Sequence, residues 1–283
     1  MRKVKTAFII LTYNRPDTLL QVLRGLAIQC DEQCEVIIAD DGSSMVSIDA
    51  IRKGLPSFKC SITHIWHPDA GFTISRARNL AAASSAADYL VFMDGDCIPN
   101  PSFVDAHAEL SESGFVVNGS RVLLSEFLTK KILANEVDIK TARWTEWLQW
   151  RCNGDSNKLI HLLQWPTMPF RTEKNFRWRK IHGCNLGVWR KDFLLVNGFD
   201  ESFQGWGHED ADFVLRLYNA GIRRKNGFCA TEVYHLWHKE NSRSNEQSNR
   251  HLVTQRLHTG VIRAAKGVDG AHIANDVIVT QFN

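Results

Sequence analysis

The stretch YLVFMDGD, residues 89–96, decides the fold class of this chain of 283 residues. Tyr89 to Met93 form an apolar run whose length fits a buried strand. The glycine that follows lets the chain turn tightly, so that Asp94 and Asp96 can face one point. Paired carboxylates suit a hard cation such as Mg²⁺ or Mn²⁺. A D-x-D sequence also arises by chance in turns, but its place at the end of a buried strand favours a cation site.

Strand and helix patterns alternate on both sides of this stretch. The predicted strands are residues 7–11, 36–39, 62–66, 89–93 and 232–236, and the predicted helices are 75–84, 101–110, 209–220 and one that begins at Pro16. Alternation of this kind predicts an α/β fold with a mainly parallel central sheet and helices on both faces. Ligands of such sheets bind beyond the carboxyl ends of the strands. Polar clusters follow three of these strands: Thr12 to Arg15, Asp40-Asp41 and Asp94 to Asp96.

Two further acidic stretches have both a structural and a chemical interpretation. Asp40-Asp41-Gly42-Ser43 fits a simple strand-to-loop turn, or carboxylates that hydrogen-bond a base or ribose. The second stretch, Gly205-Trp206-Gly207-His208-Glu209-Asp210-Ala211-Asp212, has acids at a predicted helix start, where they can act as caps. Capping does not explain the Gly-Trp-Gly that precedes them. Such a loop can close over a substrate, and a carboxylate beside a bound sugar can accept a proton from an attacking hydroxyl.

His235 and His238 form the remaining candidate site. Strand-end packing would explain one histidine, whereas two imidazoles three residues apart, after a candidate metal motif, favour metal contact. Trp144, Trp147 and Trp150 are predicted to pack in the core from one helix face, with stacking on sugar rings as the alternative. A basic and aromatic segment, Arg171 to Lys180, fits a solvated loop, or a surface for an anionic acceptor or a membrane.

Composition favours an ordinary globular protein, with 44% hydrophobic and 23% charged residues. A net charge of +3 is too small to indicate nucleic-acid binding. The seven cysteines contain no C-x-x-C pair and are interpreted as reduced thiols. Without a signal-peptide pattern or an apolar run of membrane-spanning length, we expect a cytoplasmic protein, with peripheral attachment to the inner face of the plasma membrane as an option.

Four of these motifs together resemble the ordered motifs of family 2 GT-A glycosyltransferases. They are Thr12-Tyr13-Asn14-Arg15, Asp40-Asp41-Gly42-Ser43, Ala77-Arg78-Asn79 and Asp94-Gly95-Asp96. Residues 205–212 resemble the Gly-Trp-Gly-x-Glu-Asp element of β-1,4-galactosyltransferases and of bacterial chondroitin-polymerase-like enzymes. His208 departs from the galactosyltransferase pattern, which has a second glycine there. His235 falls where those enzymes use methionine, and His238 falls where they have a metal-binding histidine.

The resemblance implies a GT-A fold and a role for each matched residue. The residues that would bind the nucleotide, with UDP expected, are Thr12, Tyr13, Arg15, Asp41, Arg78 and Asp94. Trp206 and Glu209 would bind the sugar, and Asp210 would be the general base. Asp96 and His238 would bind Mn²⁺ or Mg²⁺, with His235 as a further candidate ligand. Residues 1–120 would be the nucleotide-sugar-binding half, 121–266 the acceptor-binding and catalytic half, and 267–283 a loosely held tail.

The implied function is an inverting glycosyltransferase that moves a hexose, galactose or similar, from a UDP-sugar to a glycan or glycolipid acceptor. Surface polysaccharide or lipopolysaccharide assembly is the expected setting. An N-acetylhexosaminyl- or glucuronosyltransferase of the same fold is the alternative within the class. A non-catalytic nucleotide-sugar-binding protein is the alternative outside it, although the intact Asp94, Asp96, Glu209 and Asp210 argue against it. A nucleotidyltransferase lacks support because no Gly-rich basic loop follows the first strand.

Overall fold

The computed structural model describes residues 4–178, 181–239, 243, 245–273 and 275–282. Its strands are β1 (Thr6–Thr12), β2 (Cys34–Asp40), β3 (Ser61–Trp66), β4 (Tyr89–Asp94), β5 (Cys97–Pro99), β6 (Phe115–Asn118), β7 (Ser120–Leu123), β8 (Thr172–Glu173), β9 (Asn185–Trp189), β10 (Arg223–Asn226), β11 (Glu232–His235) and β12 (Ile278–Phe282).

The α-helices of the described residues are α1 (Pro16–Ala27), α2 (Met45–Gly54), α3 (Ile74–Ser84), α4 (Phe103–Leu110), α5 (Glu126–Leu133), α6 (Trp144–Cys152), α7 (Arg190–Leu195), α8 (Glu209–Asn219) and α9 (Glu246–Arg256). Single 3-10 turns occur at Ile160–Leu162 and Val268–Ile273. None of the helices in the described part of the chain combines the length and apolar character that a membrane span requires.

Nine strands form the central sheet in the order β12-β3-β2-β1-β4-β9-β6-β10-β8. Strands β1, β2, β3, β4, β6 and β10 run in one direction, and β8, β9 and β12 run in the other. The predicted mainly parallel sheet is therefore confirmed. Strand β9 separates β4 from β6 and pairs antiparallel with both, an arrangement that the sequence analysis did not predict. A small second sheet has the order β5-β11-β7.

Strand β1 shows why helices cover both faces of the sheet. Successive side chains of a strand point to opposite faces, and all four of Ala7, Phe8, Ile9 and Ile10 are fully buried. Ala7 and Ile9 belong to one apolar cluster with residues of α3, α7 and α8. Phe8 and Ile10 belong to the other, with residues of α1, α5 and α6. Continuous burial of this kind is typical of a sheet covered on both sides.

The prediction of a loosely held tail from Gly267 is wrong for the described residues of that segment. Residues Ile278–Phe282 pair with β3 in antiparallel register and extend the sheet at its edge. The Phe282 ring lies 6.3 Å from the His64 ring in a stacked arrangement. Before it, Arg76 of α3 donates two hydrogen bonds to Asp276, at 2.7 and 2.9 Å. Backbone pairing and one aromatic contact thus attach a segment that has no strong apolar pattern.

Candidate functional site

Three parallel strands bring the predicted polar clusters to one edge of the sheet. In the register of the sheet, Thr12 lies beside Asp40 of β2, and Leu11 lies beside Asp94 of β4. The Gly95 N–H then donates to the Leu11 carbonyl at 2.7 Å. A Cβ on Gly95 would lie 2.8 Å from that same carbonyl oxygen, so the turn into Asp96 requires glycine.

Neighbouring Asp40 and Asp41 have different surroundings. Asp40 is fully buried and accepts hydrogen bonds from the Ser43 N–H and from His64 Nε2, which makes it a structural residue. Asp41 borders the cavity described below, and its carboxylate accepts from the Thr73 N–H at 3.0 Å and the Thr73 hydroxyl at 2.5 Å. The turn interpretation therefore applies to Asp40. Asp41 is the one of the two carboxylates that lines the cavity.

The remaining predicted nucleotide-binding residues of the first strand lie beside Asp41. Tyr13 is 47% exposed, and its hydroxyl donates to Asp69 Oδ2 at 2.8 Å. Thr12 is buried, and its hydroxyl has no hydrogen-bond partner among the described residues. Arg15 faces the same cavity and pairs with Asp17 at 3.3 Å. The exposed aromatic ring of Tyr13 offers a stacking surface to a flat ligand at this edge of the cavity.

Arg78 connects the two halves of the site. Its Nη2 donates to Asp94 Oδ1 at 3.0 Å, and its Nη1 donates to Glu209 Oε1 at 3.1 Å. The guanidinium is 2% exposed. Burial alone would lower the pKa of Arg78, but the carboxylates of Asp94 and Glu209 outweigh that effect and raise it. Arg78 is therefore a permanent cation at the centre of an acidic cluster.

Asp210 lies beside this cluster at the N-terminus of α8. Its Oδ2 accepts from the Gly183 N–H at 2.8 Å, and its Oδ1 accepts from the Ala211 N–H at 2.7 Å. Burial and the neighbouring Glu209 carboxylate raise the pKa of Asp210 to about 7. A base with a pKa near the working pH is effective in proton transfer. The structure thus gives Asp210 the electrostatic properties of a general base.

The candidate metal ligands converge on the carboxylate of Asp96. His238 Nε2 lies 3.3 Å from Asp96 Oδ2, and His235 Nε2 lies 3.8 Å from Asp96 Oδ1. The Cys97 thiol, Asp96 and His235 also have ligand atoms within 4.8 Å of one another. One carboxylate and two imidazoles suit a divalent ion such as Mn²⁺, and so small a protein set leaves coordination positions for phosphate oxygens and water. The residues present therefore fit the predicted metal.

The glycine-rich loop before α8 contains three residues in the left-handed region of the backbone. Gly205, Gly207 and His208 have positive φ angles of 73°, 105° and 71°. His208 thus occupies a left-handed position that glycine adopts more easily. Buried Asn249 of α9 donates to the carbonyl of Gly207 at 3.0 Å, and this contact ties the helix to the loop. Trp206 of this loop lies under the Arg243 guanidinium, 4.8 Å from it.

The predicted site residues surround one open cavity of about 1110 Å³. All twelve predicted site residues line it, namely Thr12, Tyr13, Arg15, Asp41, Arg78, Asp94, Asp96, Trp206, Glu209, Asp210, His235 and His238. Their individual roles stay predictions. Trp178, which belongs to the basic and aromatic segment considered as an acceptor surface, also lines the cavity. Further lining residues that were not predicted include Asp69, Arg121, His182 and Arg250. Asp69 follows the third parallel strand, and the strand-end rule could have found it. The other three lie outside any recognisable motif.

Two predictions about the second half of the chain need correction. Of the three tryptophans on α6, Trp147 is 1% exposed and packs against Trp150 and His161, whereas Trp144 is 67% exposed. Core packing is confirmed for Trp147 and is wrong for Trp144. Arg171 does not contribute to a basic surface, because it is buried and donates to four backbone carbonyls of neighbouring loops. Lys174 and Arg177 are exposed, and Arg179 and Lys180 lie outside the described residues.

The family described as glycosyl transferase family 2 matches residues 7–187, and the N-terminal domain of galactosyltransferase matches residues 170–239. The chain therefore belongs to glycosyl transferase family 2. Chondroitin synthase from Escherichia coli is 29% identical over 253 residues, which are 83% of this chain but only 34% of the synthase. The chain thus spans about a third of that relative's length.

Two solved structures show the fold. TarS 1–349 of S. aureus in complex with UDP-GlcNAc aligns with a TM-score of 0.60 and 14% identity, over 94% of this chain and 69% of that one. Mannosyltransferase PcManGT from Pyrobaculum calidifontis, in complex with GDP-Man and Mn²⁺, aligns with a TM-score of 0.58 and 15% identity, over 97% and 72%. The predicted GT-A fold is confirmed by these glycosyltransferase neighbours.

Proposed function

We propose that this chain transfers a hexose, galactose or a similar sugar, from a UDP-sugar to a glycan or glycolipid acceptor with inversion of the anomeric carbon. One observation carries the proposal: Asp94, Arg78, Glu209 and Asp210 form a continuous chain of contacts in the cavity that also contains Asp96 and His238. Nucleotide, metal, sugar and base sites are thereby adjacent. A metal-dependent, inverting glycosyltransferase needs these four sites within one cleft.

The proposed reaction assigns a task to each group. Asp41, Tyr13 and Arg15 hold the nucleoside at the ends of β1 and β2. Asp96, His235 and His238 hold Mn²⁺ or Mg²⁺, which when bound neutralises negative charge on the diphosphate. Glu209 and Trp206 position the donor sugar.

Proton transfer in the proposed reaction falls to Asp210. The Asp210 carboxylate accepts the proton of the acceptor hydroxyl as that oxygen attacks the anomeric carbon from the face opposite the diphosphate. The bond to the diphosphate breaks as the new glycosidic bond forms. A single displacement of this kind inverts the anomeric configuration.

The donor sugar has three candidates. Similarity to a galactosyltransferase domain supports galactose. A neighbour crystallised with UDP-GlcNAc supports the alternative of an N-acetylhexosamine, and glucuronic acid is the other alternative. A neighbour with GDP-Man makes GDP-sugars a necessary control. We further propose a cytoplasmic location with peripheral attachment to the plasma membrane, and a role in surface polysaccharide or lipopolysaccharide assembly; both rest on the sequence.

A panel of nucleotide-sugars tests the proposal. Thermal unfolding is measured with UDP, UDP-galactose, UDP-glucose, UDP-GlcNAc, UDP-glucuronate and GDP-mannose, each with and without Mn²⁺. A ligand at about 100 times its Kd should stabilise the folded state by about 2.7 kcal/mol. The stabilising donor is then incubated with Mn²⁺, and the release of UDP by transfer to water is followed.

Three results of this panel would decide between the candidate functions. UDP-sugar-specific stabilisation together with UDP release supports the enzyme. Stabilisation without release from any donor favours a nucleotide-sugar-binding protein. No stabilisation by any nucleotide would overturn the proposal.

A further inference from the structure

A wall of the cavity formed by Trp178, His208 and Arg250 has no task in the proposed reaction. The Trp178 and His208 rings lie 5.4 Å apart. The Arg250 guanidinium lies over the Trp178 ring, 5.6 Å from its centroid. All three residues line the cavity. We refer to these three residues as the aromatic–arginine wall.

Contacts with the glycine-rich loop fix the position of this wall. Arg250 belongs to α9, and its neighbour Asn249 is 4% exposed and donates to the carbonyls of Gln204 and Gly207. His208 is the last residue of that loop and lies two residues before Asp210. A ligand on the aromatic–arginine wall would therefore lie in the same cavity as Asp210, the proposed general base, and an acceptor must bind in that cavity.

Arg250 differs from three other arginines that line the cavity, Arg15, Arg78 and Arg243. Each of those three pairs with a carboxylate. Arg250 forms no ion pair with any carboxylate of the described residues, although its side chain is exposed at the edge of the cavity. A guanidinium held on an aromatic ring keeps its fork of donors available, and that fork matches a carboxylate in a bidentate arrangement.

A flat aromatic ring beside a guanidinium suits one class of ligand in particular. The aromatic rings of the wall offer apolar surface to a pyranose, and the Arg250 fork is complementary to a carboxylate on the same sugar. We propose that the aromatic–arginine wall is the acceptor subsite and that it binds a uronic acid as the terminal sugar of the acceptor. This inference rests on the proposed function, since an acceptor exists only for a transferase.

Binding of defined oligosaccharides tests the inference independently of turnover. The full chain is saturated with UDP and Mn²⁺, so that the donor site is filled. Ligand-observed NMR titration then measures the Kd of a hyaluronan oligosaccharide that ends in glucuronic acid, and of the same oligosaccharide with its carboxyl groups reduced to alcohols. An oligomer of glycerol phosphate serves as an anion without a pyranose ring. Each titration is repeated at high salt, which weakens exposed charge pairs.

Matched variants assign the effect to Arg250. Arg250→Ala should weaken binding of the acidic oligosaccharide at least tenfold, and Arg250→Lys should weaken it less, because lysine keeps the charge and loses the fork. Arg52→Ala removes the same charge from an exposed site on α2 outside the cavity and should leave the Kd unchanged. The acidic oligosaccharide should bind the unmodified chain at least tenfold more tightly than its reduced counterpart.

Several outcomes would overturn the inference and leave the proposed function intact. These are equal binding of the acidic and reduced oligosaccharides, equal binding by Arg250→Ala and the unmodified chain, failure of the acidic oligosaccharide to bind, and preference for glycerol phosphate. In each case UDP and Mn²⁺ still bind. Failure of the chain to bind any nucleotide contradicts the proposed function itself.

Discussion

Arg78 and Glu209 are 131 residues apart in the sequence and meet in the structure, where Arg78 Nη1 donates to Glu209 Oε1 at 3.1 Å. This contact joins α3, in the predicted nucleotide-binding half, to α8, which follows the glycine-rich loop. The same guanidinium holds Asp94 at the end of β4. The site is therefore a single electrostatic unit, and changes at Arg78 should affect both stability and ligand binding.

Replacement of Arg78 by alanine should destabilise the fold strongly. Removing one partner of a buried ion pair costs about 3–5 kcal/mol, because the remaining charge is left uncompensated. Asp94 retains 32% exposure, so we expect a value near 3 kcal/mol from urea denaturation. Arg76→Ala is the matched control, since Arg76 lies on the same helix and pairs with Asp276 at the surface. Its cost should be about 0–1 kcal/mol. Equal effects of the two variants would contradict the central role of Arg78.

Replacement of Asp96 by alanine should weaken Mn²⁺ binding and the Mn²⁺-dependent binding of UDP. Loss of a residue that only supports a metal ligand already costs about 10–100-fold in affinity, so loss of the shared carboxylate should cost more than ~10-fold. Electron paramagnetic resonance of free Mn²⁺ measures the first quantity, and calorimetry with UDP measures the second. Asp105→Ala, an exposed aspartate on α4 outside the cavity, is the control. Unchanged Mn²⁺ affinity in Asp96→Ala would remove Asp96 from the metal site.

The sequence predicted those site residues that directly follow a parallel strand. Asp41, Asp94 and Asp96 could be placed together because parallel strands end at one edge of a sheet. The sequence did not separate the structural Asp40 from the cavity-lining Asp41, since that difference depends on which face each side chain takes and on His64 of β3. Residues such as Arg250 could not be found, because only the packing of α9 on the glycine-rich loop brings them to the cavity.

The pairing of β12 with β3 could not be predicted from the sequence either. Val279 and Ile278 are more than half exposed, so β12 has little of the apolar alternation that identifies a half-buried strand. Its position follows from backbone pairing with the free edge of β3 and from Phe282. Such long-range pairing is decided by tertiary context and leaves a weak local signal. The antiparallel insertion of β9 between β4 and β6 was missed for the same reason.

Replacement of Asp210 by asparagine should preserve UDP binding and lower turnover. The amide keeps an oxygen for the Gly183 N–H but cannot accept a proton from the acceptor, and loss of a general base costs about 10²–10⁴-fold in rate. Asp192→Asn is the control, because Asp192 is also a buried carboxyl, on α7 and outside the cavity, and this variant should keep normal turnover. Near-normal turnover in Asp210→Asn would exclude Asp210 as the base.

The pH dependence of both turnover and stability should report the raised pKa of Asp210. Because burial and Glu209 raise this pKa from 3.8 to about 7, the deprotonated fraction of the base grows as the pH rises through about 7, and kcat/KM should rise with it. Stability should change in the opposite direction. Between pH 3.8 and 7 the folded state holds a proton that the unfolded state has lost, so this residue's contribution to the free energy of unfolding falls as the pH rises.

The Asp210→Asn variant separates this contribution from those of other groups. Its amide does not titrate, so the difference in unfolding free energy between the variant and the unmodified chain should shift in favour of the variant from pH 5 to pH 8. Urea denaturation at the two pH values measures that difference. A constant difference would mean that Asp210 has an ordinary pKa in the folded chain. The carboxylate would then be a poor match for proton transfer at neutral pH, and the rise of kcat/KM through pH 7 would need another group.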